Sequence, residues 1–242
     1  MAYKELREII DKSDNIVFLG GAGVSTESNI PDFRSEKGLY NAVNKYGYSP
    51  ESLISHSFFV KHTELFYDYY KNNLIYKNAK PNKAHIALAK LEERGKLKAV
   101  ITQNIDNLHQ MAGSKNVFEL HGSVFRNYCI KCEKFYDVDF ILKSEKVPYC
   151  EKCGSLIKPD VILYEEGLDD YVLSSACKYI NSADVLIVGG TSLVVYPAAG
   201  LVNYYKGNKL ILINKSKTSY DERANLVIHD SIGDVLSAVV DI

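Results

Sequence analysis

Residues 16–34 read IVFLGGAGVSTESNIPDFR. Ile16-Val17-Phe18-Leu19 is a short apolar run that stops at Gly20-Gly21-Ala22-Gly23. A strand with no polar alternation is one covered on both faces. When such a strand ends in glycines and turns into a helix, it opens a nucleotide-binding βα unit. Gly21-x-Gly23-x-x-Thr26 keeps the first two positions of the Gly-x-Gly-x-x-Gly fingerprint. Small residues there let backbone N–H groups approach a pyrophosphate, and the following helix N-terminus favours its charge. Ala22 and Thr26 are the candidate contacts, and the Ser25 and Thr26 hydroxyls are further donors. Standing alone, the pattern is also that of a tight turn. An ordinary dinucleotide oxidoreductase would continue with a strand ending in an acidic residue about 20 positions on. The stretch SEKGLYNAVNKYG at 35–47 holds no such strand. The loop therefore points to a dinucleotide and away from simple hydride chemistry.

Further apolar runs follow at Ala99–Thr102, Val117–Leu120, Val161–Leu163, Val185–Val188 and Leu210–Ile213, with a weaker one at Leu226–Ile228. Helical patterns separate most of them, for example Ala84–Arg94 and Pro197–Lys206. Strands alternating with helices predict an α/β fold, a Rossmann-like doubly wound parallel sheet. Two stretches break the rhythm. Residues 31–80 carry aromatic helical patterns and no convincing strand, and residues 126–158 hold four cysteines. The expected organisation is a nucleotide-binding domain made of 1–30, 81–125 and 159–242. A smaller inserted lobe, made of a helical module (31–80) and a cysteine module (126–158), lies on one side of it.

The cysteines are Cys129, Cys132, Cys150 and Cys153, two Cys-x2-Cys turns separated by seventeen residues. Each turn offers two thiolates to one metal, which is the spacing of a closed tetrahedral zinc site. Two disulfides would use the same residues, but paired Cys-x2-Cys turns favour metal. The flanking Lys131, Glu133, Lys134, Glu151 and Lys152 are polar, so the turns are expected at the surface. Four protein ligands leave no open position, which makes the zinc structural. Cys177 stands alone in a helical pattern and reads as a small buried hydrophobe.

The 242 residues are 46 % hydrophobic and 24 % charged, with a net charge of -1. Nothing in that balance draws the chain to nucleic acid or to a membrane. No apolar run reaches the ~20 residues that span a bilayer. The start, MAYKELREII, is charged and amphipathic, unlike a secretory signal. Reduced cysteines fit a reducing interior, so the expected location is the cytoplasm.

The motifs that follow the glycine loop narrow the reading. GAGVSTESNIPDFR at 21–34 is followed by Thr102-Gln103-Asn104-Ile105-Asp106 with Leu108-His109, then by Glu119-Leu120-His121-Gly122. Gly190-Thr191-Ser192-Leu193 with Val195 and Pro197 comes last, with the four cysteines before it. In content and order this set resembles the sirtuins, over nearly the whole chain. The resemblance implies NAD-dependent removal of acetyl or other neutral acyl groups from protein lysines. NAD is consumed as a co-substrate: the acyl oxygen attacks the anomeric carbon of the nicotinamide ribose as nicotinamide leaves. The products are deacylated lysine and O-acyl-ADP-ribose.

The same resemblance implies residue roles. His121 is the general base on a ribose hydroxyl, a task suited to a neutral imidazole near pH 7. Asn104 and Asp106 complete the catalytic set. Gln103 and Asn104 stand near the nicotinamide ribose, and Asp106 with the Ile105 backbone holds the carboxamide. Phe33 covers the reacting ribose face and excludes water, while Arg34 meets phosphate. Thr191 and Ser192, opening a helix, bind phosphate or adenosine ribose. Asn214 faces the adenosine ribose and Ile232 is the candidate adenine contact. Val161, Ile162, Leu163, Tyr164 and Glu165 receive the substrate peptide as an added strand. Partners are acetyl-lysine proteins or peptides, and a single chain suffices, so a monomer is expected.

The pattern departs from the family in three places. Asn29 stands where glycine is usual, and asparagine tolerates positive φ better than most residues. Glu165 replaces the glycine of a segment that sirtuins usually write Val-Val-Phe-Phe-Gly-Glu, which makes it a determinant of peptide register or of a taste for basic flanking residues. Tyr67 matches the tyrosine of the Tyr-x-x-Arg pair used for acidic acyl groups, but Tyr70 occupies the arginine position. With no guanidinium for a carboxylate, a neutral acyl group is expected. Mono-ADP-ribosyl transfer and a non-enzymatic NAD-sensing scaffold are the competing readings. His85 and His109 read as packed or capping residues, and His56, His62 and His229 as surface ones. Phe66, Tyr67, Tyr69 and Tyr70 read as a helix packed against the sheet domain.

Overall fold

The computed structural model describes residues 2–32 and 42–242. Its larger sheet has six parallel strands in the order β3-β2-β1-β7-β8-β9. These are β1 (Ile16–Gly20), β2 (Leu97–Thr102), β3 (Val117–Glu119), β7 (Val185–Gly189), β8 (Leu210–Ile213) and β9 (Leu226–Ile228). The order reverses between β1 and β7, and crevices at such switch points are where ligands bind. Both faces are covered, which is why β1, β7 and β8 are apolar throughout. Ile16 and Phe18 point into one cluster with the helices Ala2–Asp11, Lys83–Glu93 and Ile232–Val240. Val17 and Leu19 point into the other, with Asp170–Ser182 and the 3-10 segment Ala198–Tyr204.

A second sheet, antiparallel, has the order β5-β4-β6, with β4 Gly122–Cys129, β5 Phe135–Asp137 and β6 Ile157–Val161. Here the run Val161–Leu163 departs from expectation. It does not form a strand of the parallel sheet: Val161 ends β6 and pairs with Gly122. The residues before it, Ile157-Lys158-Pro159-Asp160, alternate in burial, so the apolar stretch marks only the strand's exit. The aromatic helix Thr63–Asn73 also packs elsewhere than expected. Phe66, Tyr67, Tyr69 and Tyr70 lie in a third cluster with Val124, Cys129, Tyr136 and Ile157, against the cysteine module and not the parallel sheet. The Tyr67 hydroxyl donates to the Ile157 carbonyl, and Lys71 Nζ donates to the carbonyls of Ser144 and Lys146 at 2.6 and 2.7 Å. Cys177 is half-buried in Asp170–Ser182. Asn29 has φ 61, so the asparagine sits in the left-handed region as its place in the loop requires.

His85 and His109 do pack. The helix Lys83–Glu93 starts at Asn82, whose side chain accepts from the Ala84 amide, while His85 Nδ1 accepts from the Asn82 amide at 3.3 Å. The His85 ring lies 4.7 Å from that of His109, and both are wholly buried. Burial brings the His85 imidazole down from 6.5 to about 4 and holds His109 well below the usual range. The sign of the pH effect follows. Below pH 6.5 the unfolded chain takes up protons that these rings refuse, so stability falls as pH drops toward 4. His85 alone removes about 3 kcal/mol over that window. Urea unfolding at pH 7.5 and pH 5 is expected to show the loss, and His109→Leu a smaller one. Equal stability at both pH values would contradict this account.

Candidate active site

The C-terminal ends of β1, β2 and β7 meet the small sheet across one cleft. The loop after β1 does not enter an α-helix as expected. It makes two 3-10 turns, Ala22–Val24 and Thr26–Ser28. Amides are still gathered there, because the loop closes on the end of β7: Gly23 N–H donates to the Gly190 carbonyl at 2.8 Å. A Cβ on Gly190, which has φ +59, would stand 2.4 Å from the Val24 nitrogen, so only glycine permits that approach. Ala22 lines the cleft, whereas the Thr26 hydroxyl turns back to the Gly23 carbonyl at 2.9 Å and Thr26 does not line it.

Gln103, Asn104, Ile105 and Asp106 follow β2 and all line the cleft. A relay links them to the glycine loop. Asn104 Nδ2 donates to Ser25 Oγ at 3.0 Å, and Ser25 Oγ donates to Asp106 Oδ2 at 2.6 Å. Asp106 Oδ1 accepts from the Leu108 amide at 3.0 Å, which fixes the carboxylate plane. Burial pushes the Asp106 carboxyl up, and the bonds from Ser25 and Leu108 pull against that. Ser25 is thus a site residue whose role, joining two others, has no signature of its own in the sequence.

His121 enters the cleft between β3 and β4. Its Nδ1 lies 2.9 Å from the Gln103 carbonyl. A carbonyl can only accept, so Nδ1 carries the proton and Nε2 is the basic nitrogen of the neutral ring. Gly122 has φ +73, and a Cβ there would stand 2.0 Å from the Asp160 carbonyl oxygen, so the residue after the histidine has to be glycine. Arg126 braces the turn from below, bridging Glu119 and Asp160 at 2.7 Å each.

Thr191 and Ser192 also line the cleft but open no helix; the 3-10 segment starts only at Ala198. Asn214 fixes Thr191 from the end of β8, its Oδ1 accepting from the Thr191 amide at 2.9 Å. Asn214 Nδ2 is buried with no partner among the described residues. That orphaned donor and the close-set glycines fit the ribose and pyrophosphate of NAD. Ile232 is 4 % exposed and sits in the core beside Gly189, outside the cleft. Phe33 and Arg34 lie outside the described residues.

Val161, Ile162, Leu163, Tyr164 and Glu165 line the cleft, as do Val195, Tyr196 and Pro197. No Lys or Arg lines it among the described residues. Tyr67 and Tyr70, the pair compared with Tyr-x-x-Arg, are buried in the small lobe and do not reach it. Glu165 is anchored to Ser57, and Glu166 to His56 and Lys158. The contacts with His56 and Ser57 span 110 and 108 residues of chain and leave no trace in local pattern.

The sulfur atoms of Cys129, Cys132, Cys150 and Cys153 lie within 4.8 Å of one another. The separations of Cys129–Cys153, Cys132–Cys150 and Cys132–Cys153 are 3.4, 3.6 and 3.6 Å. A disulfide needs about 2.05 Å, whereas a tetrahedron of Zn–S bonds of about 2.3 Å puts sulfurs about 3.8 Å apart. The amides of Lys131 and Cys132 point at Cys129 Sγ, as around a bound thiolate. The set fits zinc and not two disulfides.

Residues 21–197 match the model of the Sir2 family. The chain belongs to the Sir2 family. A Clostridium perfringens relative named NAD-dependent protein deacetylase is 66% identical over 238 residues, covering 98% of each chain. One of the same name from Clostridium acetobutylicum is 63% identical over 237 residues, covering 98% of this chain and 97% of the relative. Among solved structures, a Sir2 bound to a p53 peptide and NAD+ is 42% identical with a TM-score of 0.89, covering 100% of this chain and 98% of that one. Another Sir2 structure, with a deacetylated p53 peptide and 3'-O-acetyl ADP ribose, gives a TM-score of 0.90 at 42% identity over the same shares. The Sir2 fold therefore extends over the whole chain, the parallel sheet and the cysteine lobe included. No described helix is long and apolar enough to cross a membrane.

Proposed function

We propose that this chain is an NAD-dependent protein-lysine deacetylase. It removes acetyl or other neutral acyl groups and releases nicotinamide and O-acyl-ADP-ribose. The observation that carries the reading is the convergence, in one cleft, of His121 with a basic Nε2 and of Asn104 and Asp106 tied together through Ser25. NAD supplies the activated ribose carbon when bound. Asp106, with the Ile105 backbone, holds the carboxamide, and Gln103 and Asn104 orient the ribose. His121 takes a proton from a ribose hydroxyl at Nε2. Ala22, Thr191 and Ser192 bind phosphate and adenosine ribose, together with the Asn214 donor. Thr26 and Ile232 act on that end through the loop and the core.

The segment Val161–Glu165 receives the acetyl-lysine peptide. The solved Sir2 relatives include one bound to an acetylated peptide, which supports a peptide as the substrate. Three apolar clusters support an NAD domain (1–30, 81–125, 159–242) and a lobe made of two insertions (31–80, 126–158), with Val124, Val161 and Leu163 at the edges of those bounds packing in the lobe's cluster. The cleft is built from one chain, so a monomer suffices, and a zinc–thiolate module suits a reducing cytoplasm.

The test is nicotinamide release with NAD and peptides. Release is expected to need an acetyl-lysine peptide and to yield O-acetyl-ADP-ribose. A succinyl peptide, finding no cation along the described lining, is expected to react more slowly. Mass spectrometry showing ADP-ribose added to the target, with the acetyl group kept, would replace this reading with transfer. No release from folded, zinc-loaded protein would replace it with a sensor.

A further inference from the structure

Glu165 occupies a position where sirtuins usually carry glycine, and the backbone shows why glycine is usual: φ is +76. A residue with a Cβ is disfavoured there, so a glutamate has to be held by its side chain. Its carboxylate is fixed at both oxygens. Oε2 accepts from the Ser57 amide at 2.8 Å and Oε1 from the Ser57 hydroxyl at 2.9 Å. Ser57 lies in the first turn of the helix His56–Lys61, where amides have no intrahelical partner. The backbones meet at the same point: the His56 amide donates to the Tyr164 carbonyl at 2.9 Å, and the Tyr164 amide to the Ile54 carbonyl at 3.0 Å. Glu166 adds a second anchor, reaching His56 Nδ1 at 2.8 Å, Lys158 Nζ at 3.1 Å and the Leu163 amide at 2.8 Å.

We propose that Glu165 is a positioning residue for substrate: its bidentate grip on Ser57 pins the turn that ends the segment Val161–Tyr164, so that this segment stands in place for an acetyl-lysine peptide. The inference rests on the reading that this segment is the peptide strand. A strand ordered before binding leaves less entropy to lose on association, so the gain appears in peptide affinity. Both carboxylate oxygens are directed at Ser57, and the grip acts through the backbone of the segment and not through a contact with the peptide. The gain is therefore the same for peptides with basic and with neutral flanking residues.

The test compares Glu165→Ala, Glu165→Gly and Glu165→Gln with the parent enzyme, zinc-loaded and checked for melting temperature. Alanine keeps the left-handed strain and loses the grip, glycine relieves the strain and loses the grip, and glutamine keeps an oxygen for the Ser57 amide. The first two are expected to raise peptide KM by about 10-fold, with kcat and the KM for NAD nearly unmoved, and glutamine to restore most of the loss. Equal KM values in all four proteins overturn the proposal. So does a rise confined to basic-flanked peptides, which would make Glu165 a direct contact. Hydrogen exchange separates this from failure of the underlying reading. If the peptide protects the amides of 161–165 and KM is unchanged in the variants, only the positioning role falls. If the peptide protects another segment, the strand reading and this proposal fall together.

Discussion

In the His121→Ala protein, peptide-dependent nicotinamide release is expected to fall by about 10²- to 10⁴-fold, the range of a lost general base. The geometry makes the loss specific. The Gln103 carbonyl holds the proton on Nδ1, so the ring presents Nε2 as an acceptor without needing to rotate or change tautomer. Among the described residues that line the cleft, His121 is the only imidazole. Asp106 is committed to Ser25 and to the Leu108 amide. NAD binding is expected to survive, because the glycine loop, Thr191 and Asn214 are fixed by contacts that do not involve His121. Titration calorimetry with NAD, beside the rate assay, separates the two. Lost binding would make His121 part of the cofactor scaffold, and a full rate would remove it from catalysis.

How far the sequence could be read depended on the range of the interactions. β1, β2, β7 and β8 were legible because strands covered on both faces need unbroken apolar runs. The cleft was legible because its residues follow strand ends in short motifs, each local in the chain. Non-local placements were less so. Val161–Leu163 looks like a parallel strand because it is apolar, yet its partner Gly122 lies about forty residues earlier and runs the other way. The aromatic face of Thr63–Asn73 has the same pattern whichever layer it meets, so only tertiary contact reveals that it meets the cysteine module. Thr26 belongs to the motif, but its hydroxyl is spent closing the turn. The Glu165–Ser57 grip joins residues 108 apart: Glu165 stands out as a departure from the family pattern, but nothing in its own stretch points to Ser57.

Removal of zinc is expected to abolish deacetylation, and Cys129→Ser to do the same, while the parallel-sheet domain stays folded. Cys129 and Cys150 are buried within the cluster that includes Tyr136, Ile141, Tyr67 and Tyr70. Four thiolates left at mutual distances under 4.8 Å would repel or protonate, and the two turns would part. In zinc-finger peptides a structural zinc contributes about 10–16 kcal/mol, comparable with the whole stability of a domain, about 5–15 kcal/mol. The small lobe cannot hold its shape against such a loss. The consequence reaches the chemistry because β4 carries the cysteine module at one end and follows His121 at the other. β6, paired to it, leads directly into the segment Val161–Glu165 that lines the cleft. The parallel sheet has its own two clusters on its faces and contains none of the four cysteines. Chelation followed by circular dichroism, zinc titration and assay should therefore show partial loss of structure, one released zinc per chain and no activity, with recovery when zinc returns. Full activity in the metal-free protein would mean that side-chain packing alone holds the lobe, and that the four cysteines do not set the position of His121.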